Sequence, residues 1–222
     1  SLTPGFSGAD LANACNEAGI EAVRAGHAHV QDADFEQAVE RILAGVRRQR
    51  PARPEDERTV AVHEAGHGVV AWFLRGADPL LKLTVVPRSK GALGFAQYLP
   101  PEAGLVTEPE LRDKITAVLA GRCAEEALLG RATTGAHDDL QKATRMARAM
   151  VQKLGMSGVV GLAVLEESEH GLRACAEETQ AEADRECQRV LAECTARARK
   201  MVELHRGKIE AMVGLLLEHK TL

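Results

Sequence analysis

The sequence predicts a mainly α-helical protein with a small β element. Apolar residues recur at helical spacing through most of the chain, most regularly in residues 176–204. Capping boxes, in which a hydroxyl residue is followed three positions later by an acidic one, begin at Ser7 and Thr107 and indicate helix starts. Short runs rich in β-forming residues are few, and the clearest are 83–86 and 93–99. We therefore expect helices packed against one another, with a small sheet.

Each expected element has its own local signal. Glycine follows three of the predicted helices, at Gly45, Gly130 and Gly155, where the left-handed conformation that ends a helix costs little. The predicted helices cover about 7–25, 32–43, 58–74, 107–129, 138–154, 176–204 and 208–217, and short strands are expected at 83–86, 93–99 and 158–165.

One polar segment divides the chain. Residues 47–58 read RRQRPARPEDER and contain two prolines, eight charges and no apolar residue larger than alanine. This composition is typical of a linker or an exposed loop. The sequence therefore predicts a small helical unit at 1–46, a linker at 47–58 and a larger unit at 59–222.

Composition places the chain among ordinary globular proteins. Of its 222 residues, 45% are hydrophobic and 27% are charged, and the formal net charge is −4. Basic residues are interleaved with acidic ones, so nucleic acid is not an expected partner. No segment approaches the roughly 18 consecutive apolar residues that a membrane-spanning helix needs.

The cysteine pattern argues against both disulfides and a cysteine-bound metal. The five cysteines are odd in number and include no C-x-x-C pair. We therefore expect all of them to be reduced and to pack as small apolar residues in a reducing compartment. They are Cys15, Cys123, Cys175, Cys187 and Cys194.

Residues 63–67 carry the clearest chemical motif. They read His-Glu-Ala-Gly-His within the predicted helix 58–74. The i, i+4 spacing places His63 and His67 one turn apart on one face, where two imidazoles can bind one Zn²⁺ ion. Glu64 lies on an adjacent part of that face, where it can accept a proton from a water whose pKa a metal has lowered from about 15.7 to about 7. Because only three positions are fixed, the motif alone does not establish a site.

A catalytic zinc site usually has three protein ligands, so a third must come from elsewhere in the chain. Asp138 has another explanation, since an acid at a helix start also stabilises the helix. The residue pattern alone leaves Glu126 and Asp139 as equal alternatives. The downstream candidates are Glu125, Glu126, His137, Asp138 and Asp139, whereas His170, His205 and His219 are expected to be surface residues.

Three longer motifs resemble the FtsH-type AAA zinc metalloproteases. Residues 3–18, TPGFSGADLANACNEA, are similar to the lid subdomain of the ATPase, and residues 60–74, VAVHEAGHGVVAWFL, to the zinc helix. Residues 133–144, TTGAHDDLQKAT, are similar to the segment that carries the third ligand. The resemblance extends through nearly the whole chain. It implies zinc bound by His63, His67 and Asp139, with Glu64 as the general base.

The resemblance also implies an architecture. We expect a helical zinc metallopeptidase domain at 59–222, preceded at 1–46 by the C-terminal part of an AAA lid subdomain. The sequence contains no G-x-x-x-x-G-K-[ST] phosphate loop. The core that binds ATP and Mg²⁺ is therefore expected upstream of Ser1, together with the membrane spans.

The family resemblance further implies an ATP-dependent homo- or heterohexamer that degrades unfolded or membrane proteins. Residues 91–100, GALGFAQYLP, and the double aspartate at 138–139 are most similar to the mitochondrial m-AAA branch. That similarity implies the matrix face of the mitochondrial inner membrane, with a bacterial or plastid membrane as the alternative.

The second β-rich run is a candidate substrate site. The edge of a strand can pair with an extended peptide through main-chain hydrogen bonds, with little sequence preference. We expect a substrate peptide to pair with Leu93, Gly94, Phe95 and Ala96. The equal alternative is that this strand is an ordinary packed sheet edge without a role in binding.

Two other functions stay open as alternatives. A non-catalytic scaffold subunit of the same complex is one, and the presence of Glu64 argues against it. A stand-alone metalloenzyme without an ATPase is the other, and the lid-like residues 1–46 argue against it.

Overall fold

The computed structural model describes residue 3 and residues 5–45, 53–86, 94–99, 104–165 and 175–222. Within these residues the fold is mainly helical with one small sheet, as the sequence predicts. None of the described helices is both long and apolar enough to cross a bilayer. The helices are α1 (Gly8–Ala25), α2 (Asp32–Ala44), α3 (Pro54–Trp72), α4 (Glu108–Leu129), α5 (His137–Gln152), α6 (Glu177–Leu204) and α7 (Arg206–His219), and the strands are β1 (Leu80–Thr84) and β2 (Phe95–Tyr98).

Local sequence sets several helix ends. The Asp10 N–H donates to the Ser7 hydroxyl and the Ser7 N–H donates to the Asp10 carboxylate, so the predicted capping box starts α1. At the start of α4, the Thr107 N–H donates to the Glu110 carboxylate at 2.7 Å. Gly130 ends α4 with a left-handed φ of 67°.

Helix α3 begins four residues before the predicted start at 58, so that predicted boundary was wrong. Pro54 lies in its first turn, where a missing N–H removes no helical hydrogen bond. Glu55, Asp56 and Glu57 follow in the same turn. Acidic side chains are favourable there because they face the positive end of the helix dipole. The acidic half of the polar segment therefore belongs to the helix.

Two of the three predicted strands form. Strand β1 begins at Leu80, three residues before its predicted start, and β2 lies within the predicted run. At 158–165 the prediction of a strand was wrong, since only an isolated bridge joins Ser157 to Gly161. Gly161 has a left-handed φ of 70°, which turns the backbone before a strand can extend.

The two strands form an antiparallel pair in which Leu83 lies opposite Ala96. On the other edge of β1, Leu83 exchanges two backbone hydrogen bonds of 2.9 Å with Leu222. Residues 220–222 therefore cover that edge of β1. Strand β2 has no strand on its outer side within the part of the chain that the structure describes.

Helix α3 lies at the centre of the larger unit. It packs against α4, α7 and the sheet, and α4 also packs against α5 and α6. Because aromatic residues make up only 3% of the chain, the core is built from aliphatic side chains. Fully buried members include Val62, Val70, Leu83, Ile115, Met150, Val190 and Ile209.

Small residues let α3 and α4 approach each other closely. A Cβ atom on Gly66 would lie 2.5 Å from the Ala124 Cβ and 2.9 Å from the Ala120 carbonyl oxygen, both shorter than a normal contact. Glycine is therefore required where the two helices cross. The cost of a glycine within a helix, about 1 kcal/mol relative to alanine, is offset by this close packing.

Burial corrects two details of the sequence prediction. Cys123, Cys187 and Cys194 are buried as expected, but Cys15 is exposed and Cys175 is half-buried. All five thiols are free. Along α3, Val62 and Val69 are buried, whereas Phe73, the residue that follows the helix, is 41% exposed.

Helices α1 and α2 form a separate pair. Buried alanines, among them Ala14 and Ala18, lie between them, and the Arg41 Nη1 lies 2.6 Å from the Glu21 Oε1. A further ion pair joins this helix pair to the sheet, between Glu40 of α2 and Lys82 of β1.

Candidate functional site

Three side chains from two helices converge on one point. His63 and His67 project from α3, and Asp139 projects from the first turn of α5. The Nε2 atom of His63 lies 3.0 Å from both the His67 Nε2 and the Asp139 Oδ2, and the His67 Nε2 lies 3.2 Å from that oxygen. Ligands 2.0–2.1 Å from a zinc ion in a tetrahedron are about 3.3 Å apart. The three atoms are therefore positioned to bind one metal ion.

The outer nitrogen of each imidazole faces an acceptor. The His63 Nδ1 lies 2.6 Å from the Glu125 Oε1, and the His67 Nδ1 lies 2.9 Å from the Ala117 carbonyl oxygen. In neutral rings these Nδ1 atoms carry the proton and donate, an assignment that follows from their partners. Both Nε2 atoms then present lone pairs toward the Asp139 carboxylate. Because three acceptors this close repel one another unless a cation lies between them, the donor set fits a zinc ion.

The pKa values of His63 and Asp139 also indicate that the site favours a positive charge. Burial opposes the charged form of His63, but hydrogen bonds to Asp139 and Glu125 outweigh it and raise the His63 pKa to about 10. Burial alone would raise the pKa of Asp139. Hydrogen bonds from His63 and His67 outweigh burial and hold this pKa well below its usual range. Without a metal, a shared proton therefore neutralises part of the repulsion.

Glu64 is buried beside the two histidines. Burial raises its pKa above the ordinary value, although the charges of His67 and His63 act to lower it. A carboxyl group with a raised pKa is better suited to accept and return a proton near neutral pH. The backbone at Gly94 lies against this carboxyl group, since a Cβ atom there would be 2.6 Å from the Glu64 Oε1.

One stripe of α4 forms the back of the site. Ala117, Gly121 and Glu125 recur every four residues, so they share a face of the helix. A Cβ atom on Gly121 would lie 2.7 Å from the His63 Nε2 and still closer to the His67 Nε2. Glycine at this position therefore leaves room for both rings.

Glu125 has a role that the sequence did not reveal. It was one of the candidate ligands, but it lies behind His63 rather than beside the three converging atoms. Its second carboxylate oxygen accepts the Thr133 N–H at 2.7 Å, which ties His63 to the turn that precedes Asp139. The four-residue repeat along α4 is the signal that relates it to the site, and this repeat has meaning only once α4 is known to cross α3.

The other candidate ligands lie apart from the histidines. The Glu126 carboxylate is 3.0 Å from Arg199 and 3.2 Å from Arg122, so the alternative that made it the third ligand is not supported by the geometry. His137 contacts Gln141, and Asp138 is exposed. Of the candidates, Asp139 is the one whose carboxylate joins the two imidazoles in the described residues.

The site opens into a cavity of about 1110 Å³. Gly94 and Ala96, two of the four predicted substrate residues, line it. Phe95 pairs through its backbone with Thr84 of β1. The fourth, Leu93, lies outside the described residues.

Two protein-family models match the chain. The model of peptidase family M41 matches residues 50–222, and the model of the AAA+ lid domain matches residues 1–37. The chain belongs to peptidase family M41. The family resemblance inferred from the sequence motifs is thereby confirmed.

Individual M41 relatives come from bacteria and mitochondria. The ATP-dependent zinc metalloprotease FtsH of Rhodothermus marinus is 46% identical over 227 residues, which cover 99% of this chain and 33% of that protein. The mitochondrial inner membrane m-AAA protease component YTA10 of Saccharomyces cerevisiae is 51% identical over 162 residues, covering 72% of this chain and 21% of the relative. The mitochondrial inner membrane m-AAA protease component AFG3L2 of Mus musculus is 41% identical over 227 residues, which cover 100% of this chain and 28% of that protein. The chain thus spans a third or less of the length of these relatives.

Proposed function

We propose that this M41 chain is the proteolytic part of an ATP-dependent zinc metalloprotease and that it hydrolyses peptide bonds. The observation that carries the proposal is the set of three converging acceptors, His63, His67 and Asp139, beside the buried carboxyl group of Glu64. A metal site and an adjacent base with a raised pKa are the two groups that activation of water requires.

Each group has its own task. His63, His67 and Asp139 would hold zinc, which supplies Lewis acidity and lowers the pKa of a bound water to about 7. Glu64 accepts the proton as the water attacks the peptide carbonyl, and returns it to the leaving amine. Its burial favours both transfers, because a raised pKa lets the carboxyl group hold the proton between them.

The outer edge of β2 is proposed as the substrate-binding strand. An extended peptide paired with Gly94, Phe95 and Ala96 would lie across Glu64, because the Gly94 backbone approaches that carboxyl group. Leu93 is included on the sequence prediction alone. Binding through main-chain groups suits a peptidase that accepts many unfolded chains.

The proposal for the complete protein rests on the named relatives and on the family resemblance of the sequence motifs. We propose that the complete protein is a membrane-associated homo- or heterohexamer that degrades unfolded or membrane proteins, with ATP and Mg²⁺ bound by a core outside these residues. We place it at the matrix face of the mitochondrial inner membrane, with a bacterial or plastid membrane as the alternative. Residues 1–46 would be the lid fragment, 47–58 the linker, whose acidic half already begins α3, and 59–222 the peptidase domain.

The test compares two isosteric variants of the same helix. Glu64→Gln should keep about one zinc per chain and lose peptide hydrolysis, because an amide cannot accept the proton. Glu55 is an exposed residue of the same helix that also lines the cavity, and Glu55→Gln should keep both the zinc and the peptide hydrolysis. Zinc is measured by elemental analysis and hydrolysis with an unfolded fluorogenic substrate.

The outcomes separate the alternatives. An active Glu64→Gln variant would remove Glu64 from the role of base. A parent chain that holds zinc at full occupancy but cleaves nothing would favour the scaffold function. Loss of zinc in Asp139→Ala is expected, and full retention would require a different third ligand.

A further inference from the structure

The cavity continues past the metal ligands along α3 and α4. These helices run antiparallel, and the Ala117 carbonyl of α4 faces His67 of α3. Ala71 lies one turn beyond His67, and Lys114 lies one turn before Ala117, so both residues extend the cavity in the same direction. Both line it.

The opposite wall of this extension comes from the sheet. Tyr98 of β2 lies opposite Leu80, and the Leu99 N–H donates to the Pro79 carbonyl at 2.8 Å. This pairing brings Tyr98 beside Asp78, and both line the cavity. The part of the cavity bounded by Ala71, Ala77, Asp78, Tyr98, Lys114 and Val118 is termed the distal pocket.

The distal pocket is apolar apart from Tyr98 and one ion pair. The Lys114 Nζ lies 2.6 Å from the Asp78 Oδ1, and the two side chains are only 17% and 31% exposed. Burial raises the pKa of Tyr98, and the nearby charges of Glu64, Asp139 and Asp78 raise it further, so its phenol stays neutral. The pocket therefore has no net charge, and its two ions compensate each other.

A substrate side chain close to the cleaved bond can reach this pocket. The four residues from His67 to Ala71 advance α3 by about 6 Å, which is less than two residues of an extended peptide at about 3.3 Å each. A charged side chain that entered would lose its hydration next to an ion pair that is already satisfied. A neutral side chain loses far less on the same transfer.

We propose that the Asp78–Lys114 pair determines specificity near the scissile bond, so that the distal pocket accepts neutral side chains and rejects those of either charge. This inference rests on the proposed peptidase function. It gives the pair a role in substrate choice that is separate from the zinc ligands and from Glu64.

Replacing one member of the pair at a time should change the charge preference of the pocket in opposite directions. Lys114→Met leaves Asp78 uncompensated, and Asp78→Asn leaves Lys114 uncompensated. The probes are peptides that carry Gln, Glu or Lys, which are similar in size, within two residues of the cleaved bond. The kcat/KM ratio of the Lys to the Gln peptide should rise on the order of tenfold in Lys114→Met, and the ratio of Glu to Gln should rise similarly in Asp78→Asn. Mass spectrometry identifies the cleaved bond.

Two controls accompany these variants. The exchange Asp78→Lys with Lys114→Asp restores an ion pair and should restore the preference for Gln. Arg199→Met removes an ion pair from the outer face of α4 and should leave all ratios unchanged. Zinc content should be the same in every variant, since the ion pairs of Asp78, Lys114 and Arg199 in the described residues do not involve the metal ligands.

The outcomes distinguish this inference from the proposed function. A parent chain that cleaves the charged peptides as well as the Gln peptide overturns the inference without any variant. Variants that cleave all three peptides in the parent ratio show that the pair is only structural, and the peptidase function then stands. A zinc-loaded parent that cleaves none of the peptides overturns both.

Discussion

The Oε1 atom of Glu125 lies 2.6 Å from the Nδ1 atom of His63, on the side of the ring opposite Asp139. The other oxygen of this carboxylate accepts the Thr133 N–H. One buried side chain thus orients an imidazole of α3 and the turn that leads to α5. Carboxylates in this position fix the tautomer of a ligating histidine and make it a stronger ligand.

Replacing Glu125 should weaken metal binding. In Glu125→Gln the amide can accept one of the two N–H groups but must turn its own NH₂ toward the other, which leaves that donor unpaired. We expect the zinc affinity to fall about 10–100-fold, measured by competition with a chromophoric chelator. Glu126→Gln is the matched control, since that carboxylate pairs with Arg199 on the surface, and it should bind zinc as the parent does. Equal affinity in both variants would contradict the role of Glu125.

Alanine at position 121 should disrupt the site through its single added carbon. The Cβ would lie 2.7 Å from the His63 Nε2, so one or both rings must move. We expect Gly121→Ala to lose zinc and to be destabilised by about 1–3 kcal/mol. In Gly214→Ala the Cβ meets nothing within 4 Å, and the variant should gain about 0.5–1 kcal/mol from helix propensity. Thermal unfolding measures the stability of the two variants, and elemental analysis measures their zinc content. Equal stability and equal zinc content in both variants would contradict the prediction.

Alanine at position 94 should act on catalysis rather than on the metal. Its Cβ would lie 2.6 Å from both the Glu64 Oε1 and the Val60 Cγ1, so either β2 or the carboxyl group must shift. We expect kcat to fall at least about tenfold in Gly94→Ala, with the zinc content unchanged. Gly158→Ala, where a Cβ meets nothing within 4 Å, serves as the control. An unchanged kcat in Gly94→Ala would contradict this prediction, since it would show that β2 shifts to accommodate the Cβ without displacing Glu64.

Thiol labelling should separate the five cysteines by burial. Cys15 is exposed and should react first at pH 8. Burial, together with the nearby Glu126 charge, raises the pKa of Cys123 to about 11, so at pH 8 this thiol stays protonated and is a poor nucleophile. Cys187 and Cys194 are buried, with pKa values raised in the same direction by burial. Mass spectrometry after alkylation should find these three unlabelled in the native chain and labelled in denaturant. Rapid native labelling of Cys123 would argue against the packing of α4.

Much of the helical structure could be predicted because its signals are local. The capping boxes at Ser7 and Thr107 and the glycine at 130 each act within a few residues, and α1 and α4 follow them closely. The i, i+4 spacing of His63 and His67 is equally local. Asp139, in contrast, was selected by family resemblance, since spacing alone did not separate it from Glu126.

Features that depend on distant contacts could not be predicted. The role of Glu125 depends on α4 crossing α3 at Gly66, and nothing in the neighbouring residues indicates that crossing. The early start of β1 at Leu80 depends on its pairing with Tyr98. At 158–165 the β propensity is present, but no neighbouring strand pairs with the segment in the described residues.

The pairing of residues 220–222 with the edge of β1 has a consequence for the order of synthesis. The Thr221 hydroxyl donates to Thr84, which is 137 residues away, and Lys220 reaches Glu57 of α3 at 2.6 Å across 163 residues. A ribosome therefore releases β1 long before the segment that completes its edge. Contacts of such sequence separation form late in folding because the intervening loop must close first. The sheet that forms one wall of the cavity thus reaches its final shape only after α7 has been made, and a nascent chain that ends before residue 220 still has an open strand edge there.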